Sequence, residues 1–189
     1  LSSSSHHQSK QHSYCNHYVV LLWVHVYWSA IELERQDDIC KVMKEFIQNM
    51  IDAMYSDAAS GFAAVQFGVH KRIIVVDLGN DDETPRPADF YPKVIINPVF
   101  TYRSKEMVVA REACMSVPGI SLEVPRAEEV AMEYYDIDFN KKTIKTGGWL
   151  ARVLQHEYDH IEGVTLLDHM SKLKKDRSLK KLTKYKKSL

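Results

Sequence analysis

The stretch QHEYDH, residues 155–160, decides how this chain is read. It lies within GGWLARVLQHEYDHIEG, 147–163. There Trp149, Leu150, Val153, Leu154 and Tyr158 recur at helical spacing, and Gly163 suits the residue just past a helix end. In a helix, residues four apart project from one face a turn apart, so His156 and His160 can hold one cation between them. Glu157 then stands beside the pair, able to touch a water on the metal without displacing it, the H-E-x-x-H arrangement. A divalent ion brings the pKa of its water to about 7, and an adjacent carboxylate can take and return the proton. The plainer alternative is a surface helix with scattered polar residues. A catalytic ion wants a third protein ligand and an open position. The extended H-E-x-x-H-x-x-G-x-x-H form is absent, because position 163 is Gly but position 166 is Leu. Upstream, EACMS, 112–116, offers Cys114, a strong thiolate donor in one reading and a buried structural cysteine in the other.

Around this helix the pattern is α+β. DDICKVMKEFIQNMIDAMYSD, 37–57, predicts a helix whose apolar stripe is Ile39, Val42, Met43, Phe46, Ile47, Met50, Ile51 and Met54. AASGFAAVQFGV, 58–69, reads as a loop, and KRIIVVDL, 71–78, as a buried strand. GNDDETPRPADF, 79–90, is a polar, turn-rich excursion. KVIINPVFTY and EMVVAREACMSV are further strands, and residues 118–146 hold two or three more, with a turn near DFNKK.

With 189 residues the chain is long enough for one domain with a sizeable core. Its net charge is zero but unevenly placed: from Ser171 onward there are nine Lys/Arg against Asp176 alone, leaving 16 basic and 24 acidic residues elsewhere. That basic stretch, with Leu179, Leu182 and Tyr185 every three residues, reads as a partly helical, amphipathic, exposed tail. Three cysteines at irregular spacing argue against a disulfide framework and for a reducing compartment. Residues 1–18, rich in Ser, His and Gln, read as disordered or foreign to the fold, their histidines as part of a solvated tail. VVLLWVHVYW, 19–28, is too short to span a bilayer and reads as a buried strand, with a fusion-derived leader as the alternative.

Three segments together resemble the motifs of peptide deformylases, in the order those enzymes have them. ASGFAAVQ, 59–66, is similar to Gly-x-Gly-hydrophobic-Ala-Ala-x-Gln, EACMS to Glu-Gly-Cys-Leu-Ser, and QHEYDH to Gln-His-Glu-x-Asp-His. RIIVVDL, INP, VPGIS, VPRAEEV and LARVLQHEYDH are also similar in register. The resemblance covers roughly 40–170 and not 1–36; the expected organisation is a disordered or poorly defined leader over 1–36, a deformylase-like catalytic domain over 37–170 and a basic, helical tail over 171–189. The resemblance implies antiparallel sheets packed around a central metal-bearing H-E-x-x-H helix, with an N-proximal helix and a C-terminal basic helix.

By the same resemblance, Cys114, His156 and His160 bind one divalent metal, natively ferrous iron, with zinc, nickel or cobalt able to replace it. Glu157 is general base and then acid. Gln66 and the Met115 backbone N–H stabilise an oxyanion. Gly61, Phe62, Met115 and Val153 meet the substrate, with Leu154 beside them on the helix. Asp159 either orients a ligand or is an exposed helix acid. The implied reaction is hydrolysis of the N-formyl group from the terminal methionine of new polypeptides, releasing formate. The implied setting is the bacterial cytoplasm or an organelle. The ribosome is a further expected partner, through the basic tail and its attraction to RNA phosphates. Departures are Ala59 and Ala113 for Gly, Phe62 for Leu, Val65 for Pro and Met115 for Leu. If Ala59 or Ala113 needed positive φ, each Cβ would cost about 1 kcal/mol. The second reading is therefore a weak or inactive relative that only binds formylated N-termini or the ribosome.

Overall fold

The computed structural model describes residues 41–79 and 92–188. Helix α1 spans Lys41–Ser56 and is followed by strand β1, Gly61–Ala63, and a 3-10 turn, Ala64–Phe67. Strands β2 (Ile73–Val76), β3 (Lys93–Arg103), β4 (Met107–Ala113), β5 (Ser121–Ala127), β6 (Glu129–Tyr135) and β7 (Lys141–Gly147) come next. Helix α2, Gly148–Ile161, a 3-10 turn, Leu166–His169, and helix α3, Lys172–Ser188, close the chain. One antiparallel sheet has the order β1-β2-β3-β6-β7, and β4 and β5 form a separate hairpin. None of the described helices is long and apolar enough to cross a membrane.

The run IIVV of β2 is unbroken because both its faces are covered. Side chains alternate along a strand, so Ile74 and Val76 join Leu150, Ala151, Leu154 and Ile161 of α2 in one core. Ile73 and Val75 join Ile47, Met50, Ile51 and Met54 of α1 in another. The sheet's centre is thus held between the two helices. α1 buries Ile47, Met50, Ile51 and Met54 of the expected stripe and half-buries Met43 and Phe46, while Val42 is 73% exposed and Ile39 lies outside the described residues. The strand expected over 19–28 and the polar excursion also fall outside them, apart from Gly79.

Helix α2 ends as its sequence requires. Gly163 takes φ 76, and the N–H groups of Gly163 and Val164 donate back to the carbonyls of His160 and Asp159. The turn near DFNKK closes β6 onto β7, with Asp136 Oδ1 accepting from the N–H groups of Asp138 and Asn140.

Two expectations need correction. Residues 58–69 are not simply a loop, because Gly61–Ala63 pairs with β2 in register and adds an edge strand. Nor does α3 hang free: Leu182 is buried against Cys114, Val117, Ile120 and Leu166, with Leu179 packed alongside. Lys181 Nζ also donates to the Gly119 carbonyl at 3.0 Å. The leucines hold α3 down while most of its charges face outward. Replacing Leu182 with Ala is expected to lower stability by about 2 kcal/mol, read as a lower urea midpoint at unchanged slope.

Candidate metal centre

Helix α2 sets His156 and His160 one turn apart, with ring centroids 5.1 Å from each other. Cys114 leaves the end of β4 and places its Sγ 3.2 Å from His160 Nε2. One donor atom from each of the three residues lies within 4.8 Å of the others. Cys114 and His160 are both buried, and His156 nearly so. Burial pushes the Cys114 thiol up, but His160 and His156 beside it pull it well below the usual range. The thiolate is the ligating form. A sulfur and two imidazoles, with Cys114 and His156 lining a pocket, suit a divalent ion with three protein ligands and one open position.

Glu157 is buried, and its Oε2 has no hydrogen-bond partner among the described residues. Burial pushes its carboxyl up and the two histidines pull it down, leaving it above the ordinary value. Such a group sits closer to neutrality, where proton transfer in both directions is easiest. Gly61 lies against it: a Cβ there would be 3.1 Å from Glu157 Cγ, 3.2 Å from Oε1 and 3.2 Å from Val153 Cγ1. A Cβ there would make these side chains give by a few tenths of an ångström, and its absence lets β1 press against the carboxylate.

Gln66 is oriented from both ends. Its Oε1 accepts from the Ala63 N–H at 2.8 Å, so its Nε2 must face the thiol side, 3.0 Å from Ser116 Oγ and 3.9 Å from Cys114 Sγ. A pocket of about 740 Å³ opens onto these groups, bordered by Ala113, Met115, Ile120, Trp149 and Val153. Phe62 borders it only in part, since its ring packs edge-on against Phe67 in the α1 core. Ala59 and Ala113 also line it, and neither has positive φ; that conformation falls on Ala58, at φ 51.

Sequence reasoning missed the groups that hold the ligands. His156 Nδ1 lies 2.8 Å from Glu112 Oε2, which leaves Nε2 for a metal. Arg126 grips both oxygens of Glu112 at 3.0 Å, and Arg152 Nη1 donates to Oε1 at 2.7 Å. Burial pushes the Glu112 carboxyl up, but the His156 contact and the Arg126 guanidinium hold it at about 2. Arg126 also pairs with Asp159 at 2.6 Å, and Asp159 meets His169 at 2.9 Å. Gln155 exchanges both its amide groups with the Ala127 backbone, fastening α2 to the end of β5. Arg152 itself was the available signal: an arginine inside the apolar stripe of a helix must bring its partner with it.

The family model described as Polypeptide deformylase matches residues 27–176. The Rickettsia akari (strain Hartford) peptide deformylase is 44% identical over 146 residues, covering 77% of this chain and 83% of its own length. That of Wolbachia pipientis wMel is 40% identical over 153 residues, covering 79% and 86%. Among solved structures, the peptide deformylase of Ehrlichia chaffeensis in complex with actinonin is similar at a TM-score of 0.75 and 35% identity, covering 85% of this chain and 91% of that one.

Replacing Glu112 with Ala is expected to weaken cobalt(II) binding by about 10–100-fold. Competition with a chromophoric chelator measures this, with circular dichroism checking that the variant is folded.

Proposed function

The chain belongs to the polypeptide deformylase family, so it is an enzyme that removes the N-formyl group from nascent peptides, and we propose that Cys114, His156 and His160 hold its divalent ion with Glu157 as the proton carrier. The observation that carries this assignment is the buried Glu157 carboxylate, whose Oε2 has no hydrogen-bond partner among the described residues, beside a thiol that lies 3.2 Å from an imidazole nitrogen. Bound there, the metal would supply a water acidic enough to react near neutral pH.

In this reading Glu157 takes a proton from water as the water oxygen attacks the formyl carbon. Gln66 Nε2–H and the Met115 backbone N–H donate to the oxygen that becomes negative. Fixed donors of this kind are worth about 2.7–4 kcal/mol each in other enzymes. Glu157 then returns the proton to the departing nitrogen, the carbon–nitrogen bond breaks, and formate and a free amine leave. Gly61 keeps β1 close enough to position Glu157, while Val153 and Met115 help shape the pocket for the methionine side chain. The native ion in this proposal is Fe(II), which a thiolate and two imidazoles accept as readily as zinc, nickel or cobalt. The relatives named above are bacterial, and we infer the bacterial cytoplasm as the working compartment. An inert, binding-only relative gains nothing from Ala59 and Ala113, whose backbones carry no positive φ.

With the chain loaded anaerobically with Fe(II), formate release from formyl-Met-Ala-Ser is the test. Glu157→Ala should retain one metal per chain and lose about 10²–10⁴-fold in kcat. A variant as fast as the wild type would overturn the assignment of Glu157.

We further propose that exposed cations of α3, among them Lys180 and Lys184, meet ribosomal RNA. Because α3 also covers the Cys114 loop, charge substitution separates the two roles better than truncation. Lys180→Gln with Lys184→Gln should weaken ribosome co-sedimentation and flatten its dependence on log salt by roughly 0.7–0.9 for each phosphate no longer neutralised. An unchanged slope would count against RNA docking.

A further inference from the structure

A second groove adjoins the pocket just described. Arg111 and Ser121 line both, and the groove continues past Leu122 to Lys174, Arg177 and Ser178 of α3. Arg111, Lys174 and Arg177 are exposed, and among the described residues none of them forms an ion pair. Glu123, opposite Arg111 in the hairpin register, is the groove's one carboxylate among the described residues, and His169 at its edge is already engaged by Asp159. The groove therefore carries net positive charge directly beside the pocket.

The spacing sets which part of a peptide would reach it. Arg111 precedes Cys114 by three residues, and β4 runs to Ala113, so Arg111 lies roughly 10 Å along the chain from the thiolate at about 3.3 Å per residue. An extended peptide covers the same distance in about three residues. We propose that this groove receives the substrate polypeptide three to five residues beyond its formyl-methionine and favours Asp or Glu there. The proposal rests on the deformylase reading of the adjoining pocket. The occupant is the substrate chain because the groove is continuous with the substrate pocket and its unpaired cations complement carboxylates. RNA bound at the same cations is the competing outcome of the test.

The experiment compares kcat/KM of the Fe(II)-loaded full chain on formyl-Met-Ala-Ala-Asp-Asp and formyl-Met-Ala-Ala-Lys-Lys, with formyl-Met-Ala-Ser as the short reference. At low ionic strength the acidic peptide should be preferred by about tenfold, and the preference should fade toward 0.5 M salt. The double variant Lys174→Glu with Arg177→Glu should lose or invert that preference while hydrolysing the short peptide at the wild-type rate, which also certifies its fold. Equal rates on the two long peptides, or a preference the double variant keeps, would overturn the proposal. A double variant that keeps its peptide preference but loses ribosome affinity would assign these cations to RNA. A wild type inactive on the short peptide would fault the catalytic reading instead, and equilibrium binding of the two long peptides would then decide the groove alone.

Discussion

The buried carboxylate of Glu112 is the constraint on which the site depends. Its two oxygens receive donors from three residues: Arg126 on β5, and Arg152 and His156 on α2. A lone carboxylate at that depth would cost several kcal/mol, and unpaired arginines would cost as much again. Together with Asp159 the network balances two carboxylates against two guanidinium groups. Arg152 also donates to the carbonyls of Val108 and Val124, one on each strand of the hairpin. Among the described residues the hairpin shares no strand pairing with the five-stranded sheet; these ionic contacts and the Gln155–Ala127 pair fix it on α2, while the small core around Cys114 joins it to the 3-10 turn and α3.

That explains the division of labour within the metal centre. Cys114 and Glu112 arrive on one body, the hairpin, while His156, Glu157 and His160 arrive on another, the helix. The network sets the two in register. Gly61 adds a third constraint from the edge of the main sheet, pressing on Glu157 where a methyl group would force it to move. The carboxylate's position is thus set by backbone packing, while its Oε2 has no hydrogen-bond partner among the described residues.

Much of this was legible in the sequence because its signals are periodic or local. Four-residue spacing put both histidines on one helix face, and IIVV announced a strand covered on both sides. Gly163 marked a helix end that the backbone bonds bear out. What could not be read locally was the partner of each polar group. Cys114 alone was ambiguous between ligand and core cysteine, and its approach to His160 exists only after the hairpin docks. The residues after α1 looked like a loop because they are small, yet Gly61–Ala63 is a strand made by its pairing with β2. The concern over Ala59 and Ala113 rested on motif positions, whereas the positive φ fell one residue earlier, on Ala58. The tail's hydrophobic spacing was visible, but its landing site was not, since Val117 and Ile120 lie far upstream in the sequence.

The order of these parts along the chain has a consequence for biosynthesis. Cys114 and His160 are 46 residues apart, and closing that loop requires β5, β6, β7 and α2 to be in place. Synthesis runs from the N-terminus, so no growing chain can assemble the centre before His160 has been added and α2 has docked. By then the chain's own first residues have long been made. The candidate site is therefore a property of the nearly finished chain, and a chain cut short before His160 lacks it.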